Sequence, residues 1–202
     1  MKNTIYSIIA VLFIFIIHPL CNSDTTEPVP LTEEEKADLL VLREEEKLAR
    51  DVYLYIYSKY GIIIFQNISN SEQRHMDKVL ALLNKYGVPD PASGTEGIFN
   101  NQTLQDLYDQ LTSKADESES DALNVGATIE DLDIKDIEDF MDRTEKSDVL
   151  AAYENLQCGS RNHLRSFYAE IGLLQGTYTP QYISQAEFDS IISTANEACG
   201  NK

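Results

Sequence analysis

The chain has no tryptophan, only three cysteines and three histidines in 202 residues, and half as many lysines and arginines (16) as aspartates and glutamates (34). The shortage of positive charge, net −18, argues against nucleic acid as a partner and against binding to an anionic lipid surface, because such a protein repels phosphate groups. The acidic excess reads first as a solvated surface that keeps the protein soluble. Alternation of apolar and polar residues over a useful length is missing too, which argues against half-buried strands, and no internal repeat is found. A hydrophobic content of 43% is nevertheless enough for one folded domain with a real core.

Long apolar runs are confined to the start. Lys2 precedes an apolar stretch from Ile5 to Ile17, too short for a comfortable membrane span and suited to the core of a signal peptide. Residues 1–23 are therefore expected to direct export. The "HPLC" ending at Cys21 resembles a degenerate lipoprotein box, which would anchor the mature chain by a lipid; cleavage after Ser23 is the alternative. Residues 24–31 then form a polar, proline-containing tether. Export would place Cys158 and Cys199, the remaining cysteines, where a disulfide is permitted, although spacing alone leaves two free thiols equally open.

What is abundant is helical patterning. Thr32 followed by Glu35 forms a capping box, opening a helix that runs to Tyr60 and Gly61. A second helix is predicted from about Phe65 to Tyr86, with "GIIIF" as a loop leading into it and Gly87 and "VPDP" stopping it. A long connection to about Ser120 carries one short helix near 103–113. Third and fourth helices follow at about 121–143 and 147–174, antiparallel neighbours joined by a short break. A short amphipathic helix is expected at about 184–198. The expected fold is all-α: a four-helix bundle over residues 32–174, with a long crossover between its second and third helices and a C-terminal turn and short helix in 175–202.

In a bundle the inward stripe of each helix follows spacings of three and four. One such stripe is Leu39, Leu42, Glu46, Ala49, Tyr53 and Ile56; the next is Phe65, Ile68, Glu72, His75, Val79 and Leu82. The third gives Leu123, Gly126, Glu130, Asp133 and Ile137, and the fourth Val149, Tyr153, Leu156, Ser160, His163 and Phe167. Each is interrupted by polar residues near its middle, and both histidines outside the leader, His75 and His163, fall on these interruptions. Buried carboxylates without a positive partner would cost several kcal/mol each, so a bound cation is the economical solution. Carboxylate with imidazole suits iron, manganese or zinc, as one or two ions. Glu72 and His75, three apart, aim at one point between helices. The phase of the first stripe is not unique, because Val41, Glu45, Leu48 and Val52 form a rival that would make Glu45 the inward acid.

These residues resemble the ferritin-like superfamily, whose di-iron bundles place one Glu on each of two helices and E-x-x-H on each of the other two. "EKLARDVY" is similar to the first-helix motif of ferritins, which favours Glu46 with Tyr53; "SEQRHMDKVLALL" supplies the E-x-x-H of Glu72 and His75. Together with "YENLQCGSRNHLRSF" these stretches look like an uncharacterised branch, the domain of unknown function 2202. The fourth helix departs from the pattern, since "SRNH" offers Ser160 where a Glu would stand three before His163. "EDLD" places Asp133 three after Glu130, as rubrerythrins place a second acid. The resemblance thus implies a metal set of Glu46, Glu72, His75, Glu130, Asp133 and His163, with Tyr53 and Ser160 behind it. It also implies a di-iron or di-manganese oxidoreductase acting on peroxide or oxygen, with a non-catalytic metal-binding or structural module of the cell envelope as the alternative. For Tyr53, plain core packing stays open.

Overall fold

The computed structural model describes residues 29–200, so the leader, Cys21 and most of the tether lie outside the described residues. Those residues form six α-helices: α1 (Glu33–Tyr60), α2 (Ile63–Lys85), α3 (Gln102–Ala115), α4 (Glu119–Met141), α5 (Ser147–Leu173) and α6 (Gln185–Ile192). No strand occurs among the described residues, and no helix there is long and apolar enough to cross a membrane.

The capping box forms at the start of α1. Glu35 N donates to Thr32 Oγ1 at 3.1 Å, and Thr32 N donates back to Glu35 Oε2 at 2.8 Å. Gly61 ends α1 in the left-handed region, φ 67°, which costs a residue without a β-carbon little. Only Ile62 then separates Gly61 from α2, so the helix begins at Ile63 and takes most of the "GIIIF" expected as a loop into its first turn. The reason is the economy of the turn: one left-handed glycine and one extended residue reverse the chain.

The most extensive contacts are α1 with α2 and α4 with α5; the two pairs meet through α1–α4 and α2–α5. The four long helices therefore enclose a common interior, while α3 lies outside against α1 and α4, and α6 against α5. Leu39, Leu42, Tyr53, Ile56, Phe65, Val79, Ile137, Val149, Leu156 and Phe167 are all buried in that interior. The core divides into two apolar clusters, one around Tyr53, Phe65 and Phe167 and the other around Leu42, Leu83 and Tyr153.

The connection between α2 and α4 is fastened to α1 by charge. Lys47 and Asp51, one turn apart and both wholly buried, pair at 2.5 Å. Lys47 Nζ also donates to Ile98 O at 3.1 Å and lies 4.1 Å from the Phe99 ring centroid, while Asp51 accepts from Gly97 N at 2.9 Å. A buried pair whose remaining donors and acceptors are satisfied in this way avoids much of its desolvation cost. At the other end, fully buried Asp131 of α4 accepts from Tyr178 Oη and from the backbone of Gln181, Tyr182 and Ile183, docking the segment that leads to α6. α6 stops at Ile192, six residues short of the expected end. Beyond it Glu197 pairs with Arg161 and Arg165, and Cys199 is joined to Cys158 by a disulfide, so this stretch follows α5 instead of continuing as a helix.

Candidate metal centre

Between the two apolar clusters the interior turns polar. Glu46 (α1), Glu72 and His75 (α2), Glu130 (α4) and His163 (α5) are all buried, the carboxylates to 1% exposure. Their side chains form two three-donor groups that share one member: Glu46, Glu72 and His75 in one, and Glu72, Glu130 and His163 in the other, with the ligand atoms of each group within 4.8 Å of one another. Glu72 is the shared carboxylate because it divides its oxygens. Oε2 lies 2.8 Å from His75 Nδ1, and Oε1 lies 2.8 Å from His163 Nδ1. Glu46 Oε2 approaches His75 Nδ1 at 3.2 Å and Glu130 Oε2 approaches His163 Nδ1 at 3.3 Å. The two imidazoles lie roughly parallel, with centroids 5.6 Å apart.

Helical spacing produces this symmetry. On α2 the separation of three puts Glu72 and His75 on one face. The helices α4 and α5 deliver Glu130 and His163 from the opposite pair, and α1 adds Glu46. Tyr53, two turns after Glu46, donates its hydroxyl to Glu130 Oε1 at 2.5 Å and holds that carboxylate in place. Gly159 makes room for the other group: a β-carbon there would lie 2.7 Å from Cε1 and Nε2 of His75.

The rival first-helix acid goes elsewhere. Glu45 lies beside Asp136 of α4, half-buried and away from the two groups. Asp133 stands outside both groups as well; its Oδ2 accepts from Ser160 Oγ at 2.5 Å, and Ser160 is fully buried. Ser160, Asp133 and Tyr53 therefore surround the donors. Two features escaped the sequence reading. The Lys47–Asp51 pair was visible as opposite charges four apart on α1, but nothing in the sequence said that it was buried. Gly159 gave no signal, because its function depends on the position of a ring from another helix.

Burial and mutual charge set the protonation of the five groups in the polar centre. Burial pushes the Glu46 carboxyl up to about 8 against the pull of His75, and burial likewise raises Glu130. Burial would raise Glu72 too, but His163 and His75 on its two oxygens outweigh that and hold it well below the usual carboxylate range. Burial works to lower His163, yet Glu72 and Glu130 carry it up to about 10; Glu46 and Glu72 raise His75 in the same way. Without a cation, protons on the imidazoles offset the carboxylates.

Not every donor in the centre is paired. Glu46 Oε1, Glu72 Oε1 and His163 Nδ1 are buried with no hydrogen-bond partner, as are Arg43 Nη1, Glu45 Oε2 and Tyr153 Oη outside the two groups. The 2.8 Å approach of His163 Nδ1 to Glu72 Oε1 is thus a close contact without the alignment of a hydrogen bond. Buried polar atoms left in this state are costly, and three carboxylates with two imidazoles are a donor set that could hold first-row divalent ions.

The family described as "Uncharacterized protein domain (DUF2202)" matches residues 35–195. The chain is 51% identical over 174 residues to "Uncharacterized protein MJ0754" of Methanocaldococcus jannaschii, covering 86% of this chain and 94% of that protein. The crystal structure titled hypothetical protein MJ0754, from Methanococcus jannaschii, matches the present fold with a TM-score of 0.82 at 52% identity, covering 84% of this chain and 97% of that one.

Proposed function

The chain belongs to the DUF2202 family, and from the site it carries we propose that it is an exported, ferritin-like metal-binding protein: a four-helix bundle holding a di-iron or di-manganese pair that reduces peroxide or oxygen. The observation that carries this reading is Glu72, whose two oxygens each belong to a different three-donor group. Two adjacent cations would use a carboxylate so divided, one on each oxygen. The pairing of the helices and the long connection between α2 and α4 support the ferritin-like assignment. Zinc would fit the same donors without redox chemistry.

Redox-active ions bound there would supply the electrons for reducing a small oxidant. The protein's own part is to hold the donors. Glu46 and His75 face one position, Glu130 and His163 the other, and Glu72 spans both. Tyr53 fixes Glu130 by its hydroxyl, and Gly159 admits the His75 ring. The surrounding core, with Tyr53, Phe65 and Phe167 on one side, excludes bulk water. Export is supported by the leader pattern in the sequence and by the Cys158–Cys199 disulfide, which suits an oxidising compartment. Metal ions and a small oxidant are the proposed partners, with any membrane attachment made through a lipid on Cys21.

A second reading, a non-catalytic metal-binding module, is favoured by Ser160, which leaves five direct donors for two ions. Metal analysis of protein prepared without oxygen, followed by absorption spectroscopy as peroxide is added, separates the readings. Two redox-active ions per chain whose spectrum changes on addition support the oxidoreductase; bound metal with no spectral response supports the module; metal-free protein after loading refutes both.

A further inference from the structure

The two cysteines of the disulfide differ in access. Cys158, on α5, is 7% exposed, whereas Cys199 stands on the surface. Both border a groove of about 840 Å³ between α2, α5 and the C-terminal stretch, lined also by Lys78 and Lys85 of α2 and by Asn155 and Arg161 of α5. Lys85 and Arg161 are paired with Asp148 and Glu197, but the Lys78 ammonium has only the neutral Asn155 side chain as its partner among the described residues. The Asn162 amide donates to Cys199 Sγ at 3.1 Å. These are the conditions for thiol–disulfide exchange: a sulfur open to attack, with positive charge and hydrogen bonds at hand to favour the thiolates that form.

The same turn of α5 meets the candidate metal centre on its inner side. Gly159 directly follows Cys158, and an added β-carbon on it would lie 2.7 Å from Nε2 of His75. The path from Cys158 Sγ to the His75 ring therefore runs through one side chain, one peptide bond and one contact. Resting on the oxidoreductase reading, we infer that Cys158 and Cys199 are a redox couple that passes electrons from a dithiol reductant in the groove to the centre, by way of Gly159 and His75. A thiolate of the reductant attacks Cys199 Sγ, the S–S bond breaks, and Cys158 leaves as a thiolate that takes up a proton. The reductant's second thiol then displaces Cys199, and the reductant departs as a disulfide. The Cys158–Cys199 dithiol re-forms its S–S bond by giving one electron to each of two ferric ions, which become ferrous, and two protons to solvent.

Dithiothreitol, as the probe dithiol, tests the exchange independently of any metal. In the metal-free full-length protein it should open the disulfide under native conditions, with both thiols counted by alkylation after quenching. Protein loaded with iron(II) without oxygen and then oxidised to the ferric form tests the transfer. On adding dithiothreitol, the wild type should lose ferric absorbance about tenfold faster than the Cys158→Ser, Cys199→Ser double variant, a barrier difference of about 1.4 kcal/mol. Dithionite, which needs no exchange, should bleach both at one rate. Should the double variant melt too low for use, Cys199→Ser alone, which leaves α5 unchanged, makes the same comparison. A disulfide that resists dithiothreitol until the protein is denatured overturns the inference while leaving the metal reading intact. Equal bleaching of wild type and variant by dithiothreitol, or slower bleaching of the variant by dithionite as well, also overturns it. A chain whose disulfide opens but which takes up no iron refutes the metal reading, and the inference falls with it.

Discussion

The His75 imidazole rests on Gly159 so closely that a β-carbon on that residue would sit 2.7 Å from its Cε1 and Nε2. Nε2 is thus turned to the α5 backbone while Nδ1 faces Glu46 and Glu72. Gly159→Ala should displace the ring, because no real β-carbon contact is that short and the α5 backbone is packed from both sides. Overpacking of this kind costs about 1–3 kcal/mol. The expected result is a lower melting temperature and loss of the ion held by Glu46, Glu72 and His75, with the ion at Glu130 and His163 retained. Elemental analysis and thermal melting of the purified variant check it, and unchanged metal content would show that His75 is not a ligand.

Glu72 differs from the other acids in belonging to both donor groups. Glu72→Gln, which keeps the volume, should therefore remove both ions, whereas Glu46→Gln or Glu130→Gln should remove about one. Glu33→Ala, on the exposed first turn of α1, is the control and should leave the content as in the wild type. Asp133→Asn should also retain both ions, since Asp133 lies outside the two groups and is held by Ser160. Metal-to-protein ratios across the five variants decide the matter; a similar drop for all the acids, control included, would mean that the ions are bound loosely at the surface.

How far the sequence foretold this site depends on which interaction sets each residue. Helical period alone placed Glu72 with His75 and put Glu130 and His163 on inward stripes, because spacing along one helix determines the face. It could not choose between Glu45 and Glu46, which are 100° apart on α1 and both flanked by apolar neighbours; the packing of α4 turns Glu45 towards Asp136. Asp133 was inward by period but proved to be engaged by Ser160, a contact between helices that no single-helix pattern encodes. The same limit hid the burial of Lys47 and Asp51 and the early start of α2, both set by how the chain turns and docks.

Cys158 and Cys199 close a loop of sequence separation 41, and the stretch beyond α6 is also tied to α5 by Glu197, which pairs with Arg161 and Arg165 and exchanges backbone hydrogen bonds with the Asn162 side chain, and by Thr194, which accepts from Arg165. In the chain-entropy view such a cross-link disfavours the unfolded ensemble by up to about 4 kcal/mol. Reduction, or Cys199→Ser, should lower the melting temperature while leaving metal content unchanged, because Cys158 lies on the side of α5 away from the donors. Calorimetry with and without reductant, with alkylation under denaturing conditions to count free thiols, tests this. Two free thiols in protein recovered after export would remove the premise, and loss of metal on reduction would tie the disulfide to the centre.

Proton and cation compete for the same atoms at Glu46 and His163, and that competition sets the pH response. Both groups hold their protons more tightly folded than unfolded: Glu46 is raised from 4.5 to about 8, and His163 from 6.5 to about 10. A raised group stabilises the fold fully below its unfolded value, and that contribution is lost as pH climbs through the folded one. For Glu46 the loss runs from about 4.5 to 8 and for His163 from about 6.5 to 10, so the metal-free protein should melt at progressively lower temperature from pH 6 to pH 9. Glu72, held low, acts in the opposite sense but only in acid, below this window. A cation replaces those protons as the partner of the carboxylates, so its affinity should rise over the same range and the gap in melting temperature between loaded and metal-free protein should widen. Melting curves at pH 6, 7, 8 and 9, with and without manganese, measure both trends. A gap that stays constant with pH would show that the metal binds without displacing protons, and would place it away from His75 and His163.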